Sequence, residues 1–493
     1  MATLNASTKG RMRTTNKSGH AAYRLDDKTR LVTMALTTML GEPKFYGDNT
    51  NELIKLAEKL CDGGEVEFVC KLAVWARTKG NLRSVSHALM AVAARHKNNA
   101  NDPSPVRKAA RMIASQRGDD GTEMIATYLA LYGKEDKGHN PNALRRGIRD
   151  ALQEAKPYSI AKYQSSGKAV KLRDTLRITH PKAVRSDTKD AMGKAVDGTL
   201  AVPKSWETEL SARGNTKEVW EELLSEGRVG IMAALRNMRN IIKSGADIQP
   251  VLDMLGNPDV ISRSRQLPFR FYSAYRELAN AGLATTGVAR ALDGAMMLAC
   301  GNVDRLDGRT AVLIDTSSSM GSPVSRRSTV SCAEIAAVLG AMATHISDDA
   351  WVAHFDTSAG VVPMTGTSII GDIKAVPRWG GGTDMAAGFN CLIQSGFDAD
   401  RVIVLSDNEV NGGGFWHGDN KKVIQGKLDA YRRHVGHDVW CHAIDLQGYG
   451  TSQFIGPKVN IMAGWSEQVL RFISMAENGF GTLADEITSL DLG

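Results

Sequence analysis

The sequence predicts a multidomain α plus α/β protein, an irregular helical array followed by a doubly wound sheet, and three observations carry that expectation. Residues 21–300 set apolar side chains at helical spacing, with breaks at short intervals. From about Asp304 onward, short apolar strands alternate with helix-like stretches. The charge also changes sign: residues 305–493 carry 14 Lys+Arg against 21 Asp+Glu, net −7, which leaves net +14 for the first 304 residues.

In chain order, residues 1–20 are basic and contain no apolar run of signal-peptide length, so they read as a mobile arm of a cytoplasmic protein. The array, residues 21–303, shows its period in Leu53, Leu56, Ala57 and Leu60, in Val69, Leu72, Ala73 and Ala76, and in Val85, Ala88, Leu89, Val92 and Ala93. Gly63-Gly64, Gly80-Asn81 and the stretches 98–105, 118–121 and 133–141 punctuate it, which predicts antiparallel helix pairs of α-solenoid type without a strict sequence period. Such arrays present a concave surface that suits an extended polymer. In residues 304–493, strands are expected at Ala311 to Ile314, Trp351 to Phe355, Val402 to Leu405, Val439 to Ile444 and Val459 to Ile461. Helices are expected at Val330 to Ile346, Asp384 to Gln394, Asn420 to Arg433 and Glu467 to Glu477. At 493 residues and 42% hydrophobic composition the chain can bury large cores, yet no segment approaches a membrane span. The six cysteines lack a C-x-x-C pair and read as reduced core thiols.

The positive charge of the first half suggests a polyanionic partner, which the acidic second half would repel. It concentrates between Pro141 and Lys194, with 13 Lys+Arg against 5 Asp+Glu. Arg145 and Arg149 share a helix face, and Lys162, Lys168, Lys171, Arg173 and Arg177 follow with Tyr158 and Tyr163 among them, a mixture that suits RNA. The alternative is a solvated helix face with its tyrosines packed inward. His180, directly before a proline, reads as a turn residue.

The second half carries a different chemistry. Ala311 to Ile314 is an apolar strand that stops at Asp315, followed by Thr316, Ser317, Ser318 and Ser319, so acid and hydroxyls fall on the loop at its carboxyl end, where open α/β sheets bind ligands. Asp315, Ser317 and Ser319 form D-x-S-x-S, whose alternate oxygens can converge on a hard divalent ion such as Mg2+. A solvated turn capping the next helix is the competing reading. Trp379 to Asp384, WGGGTD, adds Thr383 and Asp384 behind a glycine run, and RVIVLSDNE, Arg401 to Glu409, repeats the first pattern and ends in Ser406 and Asp407. Asn411 to Trp416, NGGGFW, reads as a flexible loop beside Asp407.

These three oxygen-bearing loops resemble the metal-ion-dependent adhesion site of von Willebrand A domains. That resemblance implies Asp315, Ser317, Ser319 and Thr383 as direct ligands, Asp407 reaching the ion through water, and Asp384 and Ser406 behind them. In the first half, LRDTLRITHPKA, WETELSARGNTKEVWEELL, ALRNMRNI, SRSRQLPFRFYSAYREL and ALDGAM resemble, in that order, the TROVE module of the Ro ribonucleoprotein autoantigen family and its bacterial relatives. The resemblance spans roughly Ala21 to the carboxyl end. It implies a HEAT-like helical-repeat ring, monomeric and closed by the von Willebrand A domain. Such a ring binds small structured Y-like RNAs on its outside and single-stranded ends of misfolded noncoding RNAs in its hole, with an exoribonuclease as a further partner. Lys162, Lys171 and His180 would then belong to the outer surface, and Arg263, Arg265 and Arg270 to the neighbourhood of the hole. Where the family pattern reads Ser-Arg-x-His-Pro-Phe, this chain reads SRSRQLPF from Ser262 to Phe269, without the histidine. The arginine expected soon after Lys162 and Tyr163 is also absent, and Lys168 or Lys171 supplies charge without bidentate geometry. Phe271 and Tyr275 are expected in the core.

The function expected from all this is a noncatalytic RNA-binding scaffold for RNA quality control. A metal-dependent nuclease or phosphatase is one alternative, disfavoured because no histidine or lysine in the motifs is placed as an acid or base. A protein-adhesion module, in which a partner carboxylate completes the ion's coordination, is the other.

Overall fold

The computed structural model describes residues 13–15, 21–24, 26–37, 48–80, 82–97, 101–133, 135–136, 141–165, 167–323, 330–407, 421–447, 451–463, 468–477 and 483–493. The chain packs as two compact units, one of residues 1–25 with 204–482 and the other of residues 26–203 with 483–493. None of the described helices is long and apolar enough to cross a membrane.

The second of these units is helical. Val66–Thr78, Arg83–Arg95, Ser104–Ala114, Asp120–Tyr132 and Asn142–Gln153 follow one another with short turns. Val66–Thr78 pairs with Arg83–Arg95, and alternate helices stack side by side. Their direction can be read from charge: Arg107 meets Asp150 at 2.7 Å and Arg111 meets Glu154 at 2.9 Å. Both partners step by four residues in the same sense, so Ser104–Ala114 and Asn142–Gln153 run parallel, as alternate helices of a repeat array must. The crossing is close at Gly147, where a Cβ would fall 2.3 Å from the Arg107 carbonyl oxygen and 2.7 Å from the Ala110 Cβ. The core of the array is apolar, with Leu72, Trp75, Leu89, Ile113, Tyr128 and Ile148 buried. The chain returns to this unit at its far end: Ile487 is fully buried, the Lys71 Nζ donates to the Thr488 carbonyl at 2.8 Å and the Trp75 Nε1 donates to Glu486 at 3.4 Å.

The other unit opens with two short strands, β1 (Arg13–Thr15) and β2 (Ala21–Arg24), which pair antiparallel. Residues 1–12 and 16–20 of the expected arm lie outside the described residues. Helices from Trp206–Arg213 to Thr286–Cys300 follow, and then the sheet: β3 (Leu306–Asp315), β4 (Ser347–Phe355), β5 (Ala359–Val361), β6 (Arg401–Ser406), β7 (Trp440–Asp445) and β9 (Val459–Ala463), with β8 (Thr451–Ser452) pairing outside it with β2. Every strand and helix expected in this region is present within a few residues of its predicted bounds. The order is β5-β4-β3-β6-β7-β9, parallel throughout except for the antiparallel edge strand β5.

Side chains alternate across the pleat. Ala311 and Leu313 join Phe389, Leu392, Leu428 and Tyr431 of the helices Met385–Ser395 and Lys421–Val435 in one core, while Ile314 meets Gly340 of the helix Cys332–Ile346 on the opposite face. The sheet is therefore doubly wound. From β3 the chain moves outward to β4 and then returns to β6 on the other side of β3, so the order reverses between β3 and β6. The carboxyl ends of those two strands mark the switch point, the place where this kind of sheet binds ligands.

Candidate metal and nucleic-acid sites

Asp315 closes β3 at that switch point and is fully buried. Its Oδ1 accepts the Ser317 backbone N–H at 2.9 Å, and its Oδ2 accepts the Ser406 hydroxyl at 2.6 Å from the end of β6. The Ser317 and Ser319 hydroxyls lie 3.1 Å apart. Residues 379–382 are pinned to the same loop, because Gly380 N donates to the Thr316 carbonyl at 2.7 Å and Ser318 N donates to the Gly381 carbonyl at 3.1 Å. That pinning brings in Thr383, which is buried, and Asp384, whose carboxylate caps the helix Met385–Ser395 by accepting from Ala386 N and Ala387 N. Asp407 is buried beyond Ser406. Burial first, and the facing Asp407 charge second, push the Asp315 carboxyl up to about 7.

The structure thus brings Asp315, Ser317, Ser319 and Ser406 together, with Asp407 close enough to act on Asp315. Among the described residues no three or more His, Cys, Asp or Glu side chains gather into a metal-binding cluster, so any cation here would rely on hydroxyls as much as on carboxylates. The NGGGFW loop lies outside the described residues. Sequence reasoning missed His354: its Nδ1 lies 3.3 Å from the Thr316 hydroxyl, one residue from Asp315. Its position on β4, next to β3 in the sheet, places it there, and no local motif announces that.

The predicted RNA-contacting cations fall into two groups on different units. In the helical unit many are already engaged. Arg149 pairs with Asp150 at 2.9 Å, Lys168 with Glu123, Arg145 donates to Asn142, Arg173 lies 3.8 Å from Asp174, and Arg177 donates to the Val196 carbonyl at 3.4 Å. Lys162 and Lys171 have no carboxylate partner among the described residues. His180 is exposed and ends the helix Leu172–Thr179 in the left-handed conformation, φ 49°, which releases the chain into Pro181. The interleaved tyrosines divide. Tyr163 takes Arg117 over its ring at 4.8 Å and Lys162 at 5.8 Å, whereas Tyr158 is exposed.

In the other unit, Arg263 is largely exposed, with only a long 3.7 Å approach to Asp259. Arg265, at φ 52°, and Arg270 are exposed and have no ion pair among the described residues. Phe271 is fully buried as expected. Tyr275 is not: it is half-exposed, with Lys374 over its ring at 5.5 Å.

Residues 190–315 match the TROVE domain family. Telomerase protein component 1 of Rattus norvegicus is 43% identical over 82 residues, 16% of this chain and 3% of that protein, and its Mus musculus counterpart is 43% identical over 79 residues, 15% and 3% respectively. The chain therefore spans only a small part of these relatives. The crystal structure of the Deinococcus radiodurans Ro protein superposes with a TM-score of 0.62 at 19% identity, covering 92% of this chain and 100% of that one, a likeness of fold.

Proposed function

We propose that this TROVE-domain chain, built on the fold of a Ro protein, is a noncatalytic RNA-binding scaffold of a ribonucleoprotein. The observation that carries the reading is the TROVE match at 190–315 ending on β3, together with exposed arginines at 263, 265 and 270 inside it. Arg265 and Arg270, with no ion pair among the described residues, and Arg263, with only a long approach to Asp259, keep their hydrogen-bond donors for phosphate. Lys162, Lys171 and His180 form the second set, and we assign them to a compact Y-like RNA. The arginine set is assigned to single-stranded ends of misfolded RNA, in a HEAT-like ring closed by a von Willebrand A domain. A cytoplasmic setting accords with six free cysteines. An exoribonuclease is the partner that would consume such ends.

The donor set at the switch point fits a divalent cation such as Mg2+. Two buried carboxylates face each other, and the described hydroxyls beside them supply neutral oxygens. Asp315, Ser317, Ser319 and Thr383 would hold the ion, and Asp407 would reach it through water. When bound, the ion would neutralise the facing carboxylates and offer its open positions to a ligand oxygen. Ser406 and Asp384 keep the surrounding loops in place through the hydrogen bonds already described.

Crosslinking the protein to RNA in cells and sequencing what is attached tests the main reading. With purified protein, a hairpin bearing a single-stranded tail should outcompete a blunt duplex, with a log-log salt slope of about −0.7 per phosphate contact. Equal affinity for both would remove the single-strand assignment. Cleavage of either RNA in Mg2+, lost in Asp315→Ala, would replace the scaffold with a nuclease.

A further inference from the structure

Trp379 stands apart from the other large aromatic side chains of its unit among the described residues. It is 41% exposed, and it sits at the head of the glycine run that is pinned to the Asp315 loop. An exposed tryptophan on a loop is ordinarily mobile, but this ring is backed. A Cβ on Gly321 would fall 2.7 Å from three of its ring carbons, so the indole lies flat against the backbone of the turn Ser318–Gly321 and only a glycine leaves room for it. The inner face of the ring is closed by that turn and the outer face is open.

One cation lies beside the ring and others stand on neighbouring elements. The Arg378 guanidinium lies 6.0 Å from its centroid. Lys374, at the end of the helix Ile369–Ala375, lies over Tyr275, which shares the helix Pro268–Asn280 with the exposed Arg270. Five residues separate Lys374 from Trp379, so the chain cannot place them more than about 17 Å apart. Arg378, Lys374 and Arg270 have no ion pair among the described residues, whereas Arg276 on the same helix is neutralised by Glu334 at 2.7 Å. Asp356, half-buried beside the glycine run, turns its carboxylate onto the Ser358 N–H at 2.8 Å. A backed, one-sided aromatic ring with a guanidinium beside it and a further unpaired cation a few residues away along the chain is an arrangement that can hold a base and its phosphates without regard to sequence.

We infer that Trp379, backed by Gly321, is a stacking platform for one base of single-stranded RNA, with Arg378 and Lys374 taking the adjoining phosphates. This rests on the RNA-binding reading above, and it adds the sheet domain, whose charge is otherwise acidic, to the surface that touches RNA.

The test compares the full-length protein with Trp379→Ala, Trp379→Phe and Gly321→Val. The probes are a hairpin with a uridine tail carrying 4-thiouridine, and the same hairpin without a tail. Trp379→Ala should weaken the tailed RNA about ten-fold, the order expected for one stacked base, and leave the untailed hairpin unchanged. Trp379→Phe should restore most of the affinity, and Gly321→Val, which forces the ring off its backing, should behave like the alanine variant. Photocrosslinks from the tail should map to the peptide containing Trp379. If the wild type binds tailed RNA and Trp379→Ala binds it equally well, the platform is wrong while the RNA-binding reading stands. Failure of the wild type to bind either RNA overturns both. Loss of both RNAs in parallel, with a lowered melting temperature, would make Trp379 structural and likewise overturn the platform, whereas a tail-specific loss rescued by phenylalanine supports it.

Discussion

Asp120 and Asp315 are both fully buried carboxylates, one in each unit, and their surroundings are opposite. Around Asp120 stand Arg77 at 2.8 Å, Arg83 at 2.7 Å and His87 at 3.3 Å. Burial alone would raise its pKa, but these partners more than offset that and hold it down at about 2. Around Asp315 stand hydroxyls, a backbone N–H and a second carboxylate, and its pKa moves the other way. A buried charge with its counter-charges supplied by the chain belongs to the fold. A buried charge facing its like is destabilising unless something from outside completes it, and Asp315 stands at the switch point, where open α/β sheets as a class bind ligands. The surface repeats the lesson, since most of the candidate cations of the helical unit have carboxylates or carbonyls while Arg265 and Arg270 of the other unit have no ion pair among the described residues.

The sharpest way to break the comparison is Asp120→Asn. It strips Arg77 of its carboxylate, while Arg83 keeps Asp119 at 2.8 Å and Glu123 at 3.3 Å, and should cost the helical unit about 3 kcal/mol, read as a lower denaturant midpoint. In the wild type the Asp120 contribution is present above the ordinary Asp value of 3.8 and is lost as pH falls through about 2. A midpoint indistinguishable from wild type would mean that the network stabilises nothing.

Asp315 should show the reverse dependence. Its carboxyl keeps a proton in the folded chain that the unfolded chain releases, so without a cation stability falls as pH rises from about 3.8 to about 7, by at most about 4 kcal/mol. Mg2+ should recover that loss and bind more tightly at pH 8 than at pH 6. Asp315→Asn should abolish both the pH slope and the ion's effect while the helical unit melts normally. Calorimetric titration with Mg2+ and Mn2+, beside melting curves in chelator, measures each part; undiminished binding in the variant would remove the metal assignment.

The smallest effects on stability, and the most selective on binding, should come from the surface cations. A Lys162, Lys171 and His180 triple alanine variant should lose a compact stem-loop RNA and keep a tailed one, and alanines at Arg263, Arg265 and Arg270 should do the opposite. Each charge-assisted contact removed should weaken its ligand by about 1 to 3 kcal/mol. Neither variant should melt much earlier than wild type, because these side chains are exposed or half-exposed and at most weakly paired. Parallel loss of both RNAs in competition gel shifts would favour a single basic groove.

The sequence by itself determined the elements whose signal is local. The run from Ala311 to Ile314 ending at Asp315, its echo from Val402 to Leu405 ending at Ser406, and the helical spacing from Leu53 to Ala93 each state their structure within a dozen residues, because burial imposes a period of 2 on strands and 3.6 on helices. D-x-S-x-S was legible for the same reason, its oxygens being neighbours in the chain.

Only the tertiary structure decided what depends on residues far apart in sequence. Asp120 is paired because Arg77 and Arg83 arrive from two other helices, and Trp379 is held because Gly321 leaves a gap beneath it. Ile487 is buried because the last helix returns to the helical unit rather than remaining with the sheet that precedes it. The same holds for the cations: Arg149 and Arg270 are alike as letters, and one is spent on Asp150 while the other stands exposed. A composition count gives both the same charge. Which of the two remains available to a ligand is fixed by what the fold sets beside it, since a guanidinium already hydrogen-bonded to a carboxylate has fewer donors left for a phosphate.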